Sequence, residues 1–416
     1  MTVASLPGWN VDRIRGDFPI LNRPLSDGRP LVYLDTAATA QKPQVVVDKV
    51  VACYTEFNSN VHRGIHELGD RMTTELEDAR EKVRALLNAA EPEEIVFTSG
   101  TTMSINLVAH GWGRKFLKPG DEILINEMEH HANLVPWQLA AQATGATLRY
   151  LPLTTDGRLD LARLDEFLTR KTKLVAVTAM SNVLGTINPI GELARRAHDV
   201  GALILVDGAQ SVPHGVVDVR ALQVDFLAFS GHKLYGPTGV GVLYGRRELL
   251  ESVDPFLAGG HMIREVFADH STWADLPAKF EAGTSPFIQA VAMGAAVDYV
   301  NSLGLDAIHA YEHQLTVLAE EKLRTVPGLK VYGPAAAHRG SLFSFTVDGL
   351  HPHDISDLLN RKGVAIRAGH HCTMPLHERL ELTATARASF AFYNTPAEID
   401  VLVEALHYAR RVFRLK

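Results

Sequence analysis

From Glu94 to Tyr244 the chain repeats one pattern: a short apolar run, a polar or glycine-containing loop, then a stretch of helical periodicity. Apolar runs at 94–98, 121–126, 147–152, 173–179, 202–206, 224–229 and 239–244 read as strands. A helix starts at Ile105, and helical stretches follow at 133–144, 160–170 and 190–200. A helix that crosses over a sheet returns the next strand parallel to the last, and a parallel sheet needs cover on both faces. The repetition therefore predicts an α/β fold with a mostly parallel, doubly covered sheet. Ligands of such sheets bind beyond the carboxyl ends of the strands, so chemistry is expected in the loops that follow them.

The rest of the chain reads differently. Residues 1–30 are irregular, with four prolines and room for one short helix from Val11 that Pro19 ends. Residues 31–35 form a short strand, 43–57 a helix, and 70–88 a long amphipathic helix. After about residue 290 come helices 288–303 and 306–325, strand 341–347, a helix over 353–362, strand 364–367 and a closing helix 396–413. This suggests a large domain over 31–290 and a smaller α+β domain built from 1–30 plus 291–416. The segment 255–286, rich in glycine and proline, is expected to wrap a surface or an interface.

A net charge of −7 argues against nucleic acid or an anionic membrane surface as the main partner. No apolar run is long enough to span a bilayer, and no basic segment followed by an apolar one marks a secretory signal. The only two cysteines, Cys53 and Cys372, allow at most one bridge, which fits a reducing cytoplasmic setting.

The strand ends carry reactive residue types. Ser99-Gly100-Thr101-Thr102 opens a helix, where backbone N–H groups and hydroxyls suit a phosphate, although a plain helix cap looks the same. Glu129-His130-His131 offers an imidazole that could stack on a planar ligand or simply cap the next helix. Asn182 offers an amide donor. Asp207 directly follows an apolar run and needs a positive partner, either a structural arginine or a protonated ring nitrogen. Ser230, His232 and Lys233 end the run Phe226–Phe229, and Gly236, Pro237 and Gly239 turn the chain after them. Desolvation would lower the pKa of such a lysine and free its amine to attack an aldehyde. Together these groups match what pyridoxal phosphate requires: a phosphate cradle, a stacked face, a carboxylate on the pyridine nitrogen and a lysine to anchor the aldehyde.

Cys372 lies in Arg367-Ala-Gly-His-His-Cys-Thr-Met-Pro375, beside two histidines and an arginine. Nearby cations favour a thiolate, and a polar glycine-containing loop is a poor place for an inert cysteine. Cys53, among the apolar positions of helix 43–57, reads as a small buried hydrophobe. His62 and His66 stand four apart but flank Gly64, so a loop is the better reading and no metal site is expected.

VDGAQ (206–210) followed by SGHKLYGPTG (230–239) resembles the class V aminotransferase branch of the fold-type I pyridoxal phosphate enzymes, whose architecture is aspartate-aminotransferase-like. VHRGIH (61–66), EHHAN (129–133), SNVLGT (181–186), FEAGT (280–284) and RAGHHCTMPL (367–376) are similar to the SufS-type, or type II, cysteine desulfurases. The resemblance runs from about residue 12 to the C-terminus. It implies that Lys233 anchors pyridoxal 5'-phosphate, Asp207 holds its ring nitrogen, Gln210 its phenolic oxygen and His130 its face. Thr101, Thr102, Ser230 and His232 would hold the phosphate, with Thr284 reaching the phosphate of a neighbouring subunit in a homodimer. Arg387 of ARASF and Asn182 would take the substrate carboxylate, with Arg367 near the nucleophile loop.

The implied reaction converts L-cysteine to L-alanine and leaves a persulfide on Cys372. L-selenocysteine is the alternative substrate; an aminotransferase of the same branch and a non-catalytic scaffold are the alternative readings. The short stretch between strand 364–367 and Cys372 cannot carry sulfur far, so the resemblance implies an acceptor protein of the SufE or SufU kind and a role in iron–sulfur cluster assembly. After FEAGT the chain reads Ser285-Pro-Phe-Ile-Gln289, a departure from the family's usual proline-asparagine-threonine run. His62, Arg63, His131, His370 and His371 take no individual role from the motif match.

Overall fold

The computed structural model describes residues 9–62 and 64–415. The first strand, β1 (Val32–Tyr33), stands apart from the main sheet. That sheet is built from β2 (Ile95–Thr98), β3 (Glu122–Asn126), β4 (Thr147–Leu151), β5 (Thr172–Thr178), β6 (Leu203–Asp207), β7 (Phe226–Ser230) and β8 (Gly241–Gly245). Its spatial order is β2-β8-β7-β6-β5-β3-β4. The run from β7 to β4 is parallel throughout, as the strand–helix alternation predicts. β8 is the exception: it lies antiparallel between β2 and β7. The turn from Gly231 to Val240 that joins β7 to β8 is too short for a crossover helix, so the chain must fold back. β2, β7 and β8 are buried at every residue, as strands covered on both faces must be.

One expectation fails in this part of the chain. The stretch 160–170 holds a single 3-10 turn, Leu161–Arg163, and one α-turn, Leu164–Phe167, in place of a full helix. Thr172 Oγ1 accepts the Thr169 N–H at 3.0 Å, and this turn draws the chain into β5 before a longer helix can form. The segment 255–286 contains a hairpin of β9 (Ile263–Val266) and β10 (Ser271–Trp273). Val266, Phe267 and Trp273 on it, with Leu257 nearby, are exposed.

The C-terminal part forms a four-stranded antiparallel sheet from β11 (Leu329–Tyr332), β12 (Leu342–Val347), β14 (Arg367–Gly369) and β15 (Thr385–Ser389), in the order β11-β12-β15-β14. The expected strand 364–367 is two: β13 (Val364–Ala365) pairs parallel with β1, and β14 joins the sheet. β15 is buried at every residue, yet the only apolar residues of Thr385-Ala-Arg-Ala-Ser389 are two small alanines around an arginine, a signal too weak to mark a strand. The closing helix Pro396–Val412 starts on a capping box between Thr395 and Glu398.

An aromatic cluster ties the N-terminal segment to the turn after β7. Tyr235, two residues past Lys233, packs on Phe392 with ring centroids 4.5 Å apart, and Phe18 packs on Tyr393 at 4.9 Å. No helix among the described residues is long and apolar enough to cross a membrane.

Candidate active site

A cavity of about 220 Å³ opens where β3, β5, β6 and β7 end, closed on its far side by the loop of Cys372. One wall is the start of helix Thr101–Val108. Gly100 lies close over β8 because Gly241 has no side chain; a Cβ there would stand 2.4 Å from the Gly100 Cα. The Thr101 N–H and hydroxyl both meet Ser230 Oγ, at 2.9 and 2.7 Å, so the end of β7 is joined to the helix start. Thr102 is exposed beside them. Hydroxyls and free N–H groups at a helix N-terminus form a cradle for an anion.

Asp207 is the last residue of β6 and is buried. One carboxylate oxygen accepts the Ala209 N–H at 2.9 Å, and the other has no partner. Burial pushes its pKa up, while the Ala209 N–H and Lys233 act in the opposite sense. Lys233 Nζ also makes no hydrogen bond; burial lowers its pKa to about 8, against the pull of Asp207.

The turn holding Lys233 is gripped from the N-terminal segment. The His232 carbonyl accepts from Ala40 N at 3.1 Å, Thr39 Oγ1 at 3.2 Å and Lys42 Nζ at 2.8 Å. Burial lowers the Lys42 pKa to about 7. It lowers that of His232 to about 4, with Lys233 adding repulsion, so the imidazole is neutral.

His130 follows β3 and is neutral too, its pKa brought down to about 3 by burial and by Lys233. Its Nδ1 accepts the Ala132 N–H at 3.0 Å, which leaves the proton on Nε2, and the residue lines the cavity. Behind it Glu129 is almost wholly buried and accepts from Asn126 Nδ2, from Thr178 N at 2.8 Å and from Asn133 Nδ2 at 2.6 Å. Burial raises its pKa to about 8.

The opposite wall holds Cys372, His371, Asn182, Arg387 and Arg367. Cys372 is exposed, and its carbonyl accepts the His131 N–H at 2.8 Å. Asn182 Nδ2 donates to the His371 carbonyl at 2.7 Å. Arg387, on β15, is buried and donates to the Asn182 carbonyl at 2.9 Å. Asp35 bridges the two arginines, 3.2 Å from Arg387 Nη2 and 3.2 Å from Arg367 Nε. Without it two guanidinium groups would face each other with one of them buried. Asp35→Ala is therefore expected to destabilise the protein by roughly 3 kcal/mol, read as a lower unfolding midpoint, because a buried charge loses its partner. An unchanged midpoint would show that solvent already screens the pair.

The residues to which the resemblance gives a role all line this one cavity, with one exception: Thr284 is exposed and lies outside it. Its loop is anchored by Glu281, which forms a buried ion pair with Arg80 at 2.7 Å and accepts the Phe97 N–H at 2.8 Å. Gln210 spends one amide N–H on the Ala37 carbonyl at 2.7 Å. Arg63 lies outside the described residues. His66 caps helix Glu67–Leu87 by accepting the Gly69 N–H at 3.2 Å, and no group able to hold a metal occurs among the described residues. Cys53 is fully buried, and burial pushes its thiol up to about 11. Asp35, Thr39 and Lys42 take no role from the sequence, and neither does the buried carboxylate of Glu129. Of these, only Asp35 carries a signal, as an acidic residue closing a predicted strand.

The set fits pyridoxal phosphate. Asp207 has an oxygen with no partner, Lys233 an amine with none, His130 a neutral ring, and the helix start an anion cradle, all on one cavity.

The family model for aminotransferase class-V matches residues 32–402. A probable cysteine desulfurase of Streptomyces coelicolor is 51% identical over 99% of this chain and 100% of its own length. A cysteine desulfurase of Haloferax volcanii is 50% identical over 97% of this chain and 98% of its own. The crystal structure of the Escherichia coli cysteine desulfurase CsdA superposes with a TM-score of 0.90 at 42% identity, over 97% of this chain and 99% of that one.

Proposed function

The chain belongs to the aminotransferase class-V family, and we propose that it works as a pyridoxal 5'-phosphate-dependent cysteine desulfurase. L-cysteine and the Cys372 thiol become L-alanine and a Cys372 persulfide. One C–S bond breaks and one S–S bond forms, with no outside oxidant or reductant. The observation that carries this reading is one thiol sharing a cavity with an amine and a buried carboxylate: Cys372, Lys233 and Asp207 line the same space. Amino-group transfer has no use for that thiol.

When bound, pyridoxal phosphate supplies an electron sink for the pair left as the substrate Cα proton departs. Thr101, Thr102, Ser230 and His232 hold its phosphate. His130 covers the ring as a neutral imidazole and keeps its Nε2–H for the reacting side. Asp207 offers its partnerless oxygen to the ring nitrogen, and the second amide N–H of Gln210 serves the phenolic oxygen. Arg387 and Asn182 take the substrate carboxylate, with Arg367 on the same side. Lys233, freed when substrate binds, accepts and returns the proton at Cα. Cys372 Sγ takes the substrate sulfur.

The same reading extends to the assembly. The exposed apolar residues of the β9–β10 hairpin are a surface that a second copy would cover, and the exposed Thr284 would then reach the partner's cavity. Cys372 is exposed, which suits a sulfur acceptor of the SufE or SufU kind in iron–sulfur cluster assembly. Two free cysteines suit the cytoplasm. The division into a large domain over 31–290 and a smaller one from 1–30 plus 291–416 belongs to this proposal, with the cavity between them.

Mass spectrometry after exposure to L-cysteine without reductant tests the reaction. The peptide containing Cys372 is expected to gain the mass of one sulfur atom as alanine accumulates. Alanine without that gain, or a gain on Cys53 alone, would sink the persulfide route.

A further inference from the structure

Cys372 sits on a strained turn. His371 and Cys372 have φ of 50° and 60°, so two consecutive non-glycine residues are left-handed, at roughly 1–2 kcal/mol each. Such a turn persists only where its surroundings over-determine it. From outside, Asn182 holds the His371 carbonyl and His131 N–H holds that of Cys372, while Met374 N donates to His131 Nε2 at 3.1 Å.

Beneath the turn, two imidazoles and a hydroxyl form a chain whose direction can be deduced. His371 Nε2 lies 3.1 Å from the Thr385 carbonyl and 3.1 Å from Thr385 Oγ1. A carbonyl only accepts, so Nε2 carries the proton and Nδ1 is a bare lone pair. His377 Nδ1 lies 3.0 Å from the Thr373 carbonyl, so here Nδ1 carries the proton and Nε2 is bare. Thr385 Oγ1, 3.1 Å from that bare Nε2, must donate its one proton to it. The chain therefore runs from His371 through Thr385 and His377 to the Thr373 carbonyl. It leaves the loop one residue before Cys372 and returns one residue after it.

His377, Thr385 and Thr373 are fully buried, and His371 is nearly so. Burial, aided by Arg387, lowers the His371 pKa to about 2, and burial lowers that of His377 as well, so both rings stay neutral. His371 Nδ1 is buried with no hydrogen-bond partner. An unsatisfied buried nitrogen costs stability that an apolar side chain would not. The arrangement is therefore not explained by stability alone.

We propose that Thr385 and His377 are positioning residues for sulfur transfer: they lock the tautomer and orientation of His371, and through it the left-handed turn that aims Cys372 at the cavity. This rests on the desulfurase reading. Thr385→Val keeps the shape of the side chain and removes the hydroxyl. In a single turnover with L-cysteine it is expected to slow persulfide formation on Cys372 by about tenfold or more, the scale of a small misplacement of a reacting atom. The absorbance change of the bound cofactor when L-cysteine is added should be unaltered. Thr385→Ser, which restores the hydroxyl, should recover the rate to within about twofold. Nitrogen-15 NMR of histidine-labelled holoenzyme should show, among its rings protonated on Nδ1, one neutral ring whose signal His377→Phe removes. Equal rates for Thr385→Val and wild type, a serine variant as slow as the valine one, or no Nδ1-protonated ring assigned to His377 would each overturn the proposal. A wild type that forms no persulfide overturns the desulfurase reading as well, so the two failures are told apart.

Discussion

Cys372→Ser is expected to bind the cofactor as the wild type does and to lose sulfur release from L-cysteine, by about 10³-fold or more, since the nucleophile itself is gone. Serine matches cysteine in shape, so the turn at His371 and Cys372 and its carbonyl contact with His131 should survive. Lys233, Asp207 and the helix start lie on the opposite wall and are untouched. A hydroxyl in the same place does not capture sulfur to form a persulfide. No second thiol can stand in, because Cys53 is fully buried away from the cavity, with its thiol pushed up to about 11. The same contrast predicts that a thiol-alkylating reagent labels the native protein once, at Cys372, and stops turnover. Undiminished alanine and sulfide production by Cys372→Ser would remove the thiol from the mechanism.

Lys233→Ala is expected to abolish the visible absorbance of the holoenzyme and turnover together. The loss of a group that both anchors the cofactor and carries the Cα proton exceeds the ~10²–10⁴-fold of a single general base. Lys233 is fitted for the first of these tasks before any cofactor binds. An ordinary lysine at pH 7 carries a free amine in about one molecule in three thousand, whereas a pKa of about 8 raises this to about one in ten. Burial causes the shift, and Asp207 keeps it from going further. The sign follows: reconstitution of apoenzyme with pyridoxal phosphate should quicken as pH rises towards about 8 and level off above it. A variant Lys233→Ala that still turns over L-cysteine would show that another amine does the work. Lys42 is the one to test, since its pKa falls to about 7 and it contacts the His232 carbonyl.

Much of this site is legible in the chain because an α/β sheet has a rule about where ligands go. Once strands ending near Thr98, Asn126, Thr178, Asp207 and Ser230 are read from apolar runs, the residues just beyond them must share one edge. Lys233, Asp207, Thr102 and His130 follow from that, and a resemblance adds their roles. Asp35 escapes because its importance comes from Arg387, which is 352 positions away and is brought beside it by the parallel bridge of Asp35 to Ser389 on β15. The grip of Thr39 and Lys42 on the His232 carbonyl escapes for the same reason, since a contact made to a backbone oxygen leaves no mark in residue type.

The reach of the sequence is set by what is local. Periodicity decides which stretches are helices and strands, and composition at the strand ends decides which groups can meet a ligand, because both depend on neighbours a few residues apart. Tertiary structure alone decided the antiparallel placing of β8, the buried β15 with its arginine, and the αL turn of His371 and Cys372. It also decided the direction of the hydrogen bonds among His371, Thr385 and His377. An imidazole's tautomer depends on which atom lies opposite each nitrogen, and the carbonyl and hydroxyl that settle it arrive only when β15 folds beneath the cysteine loop.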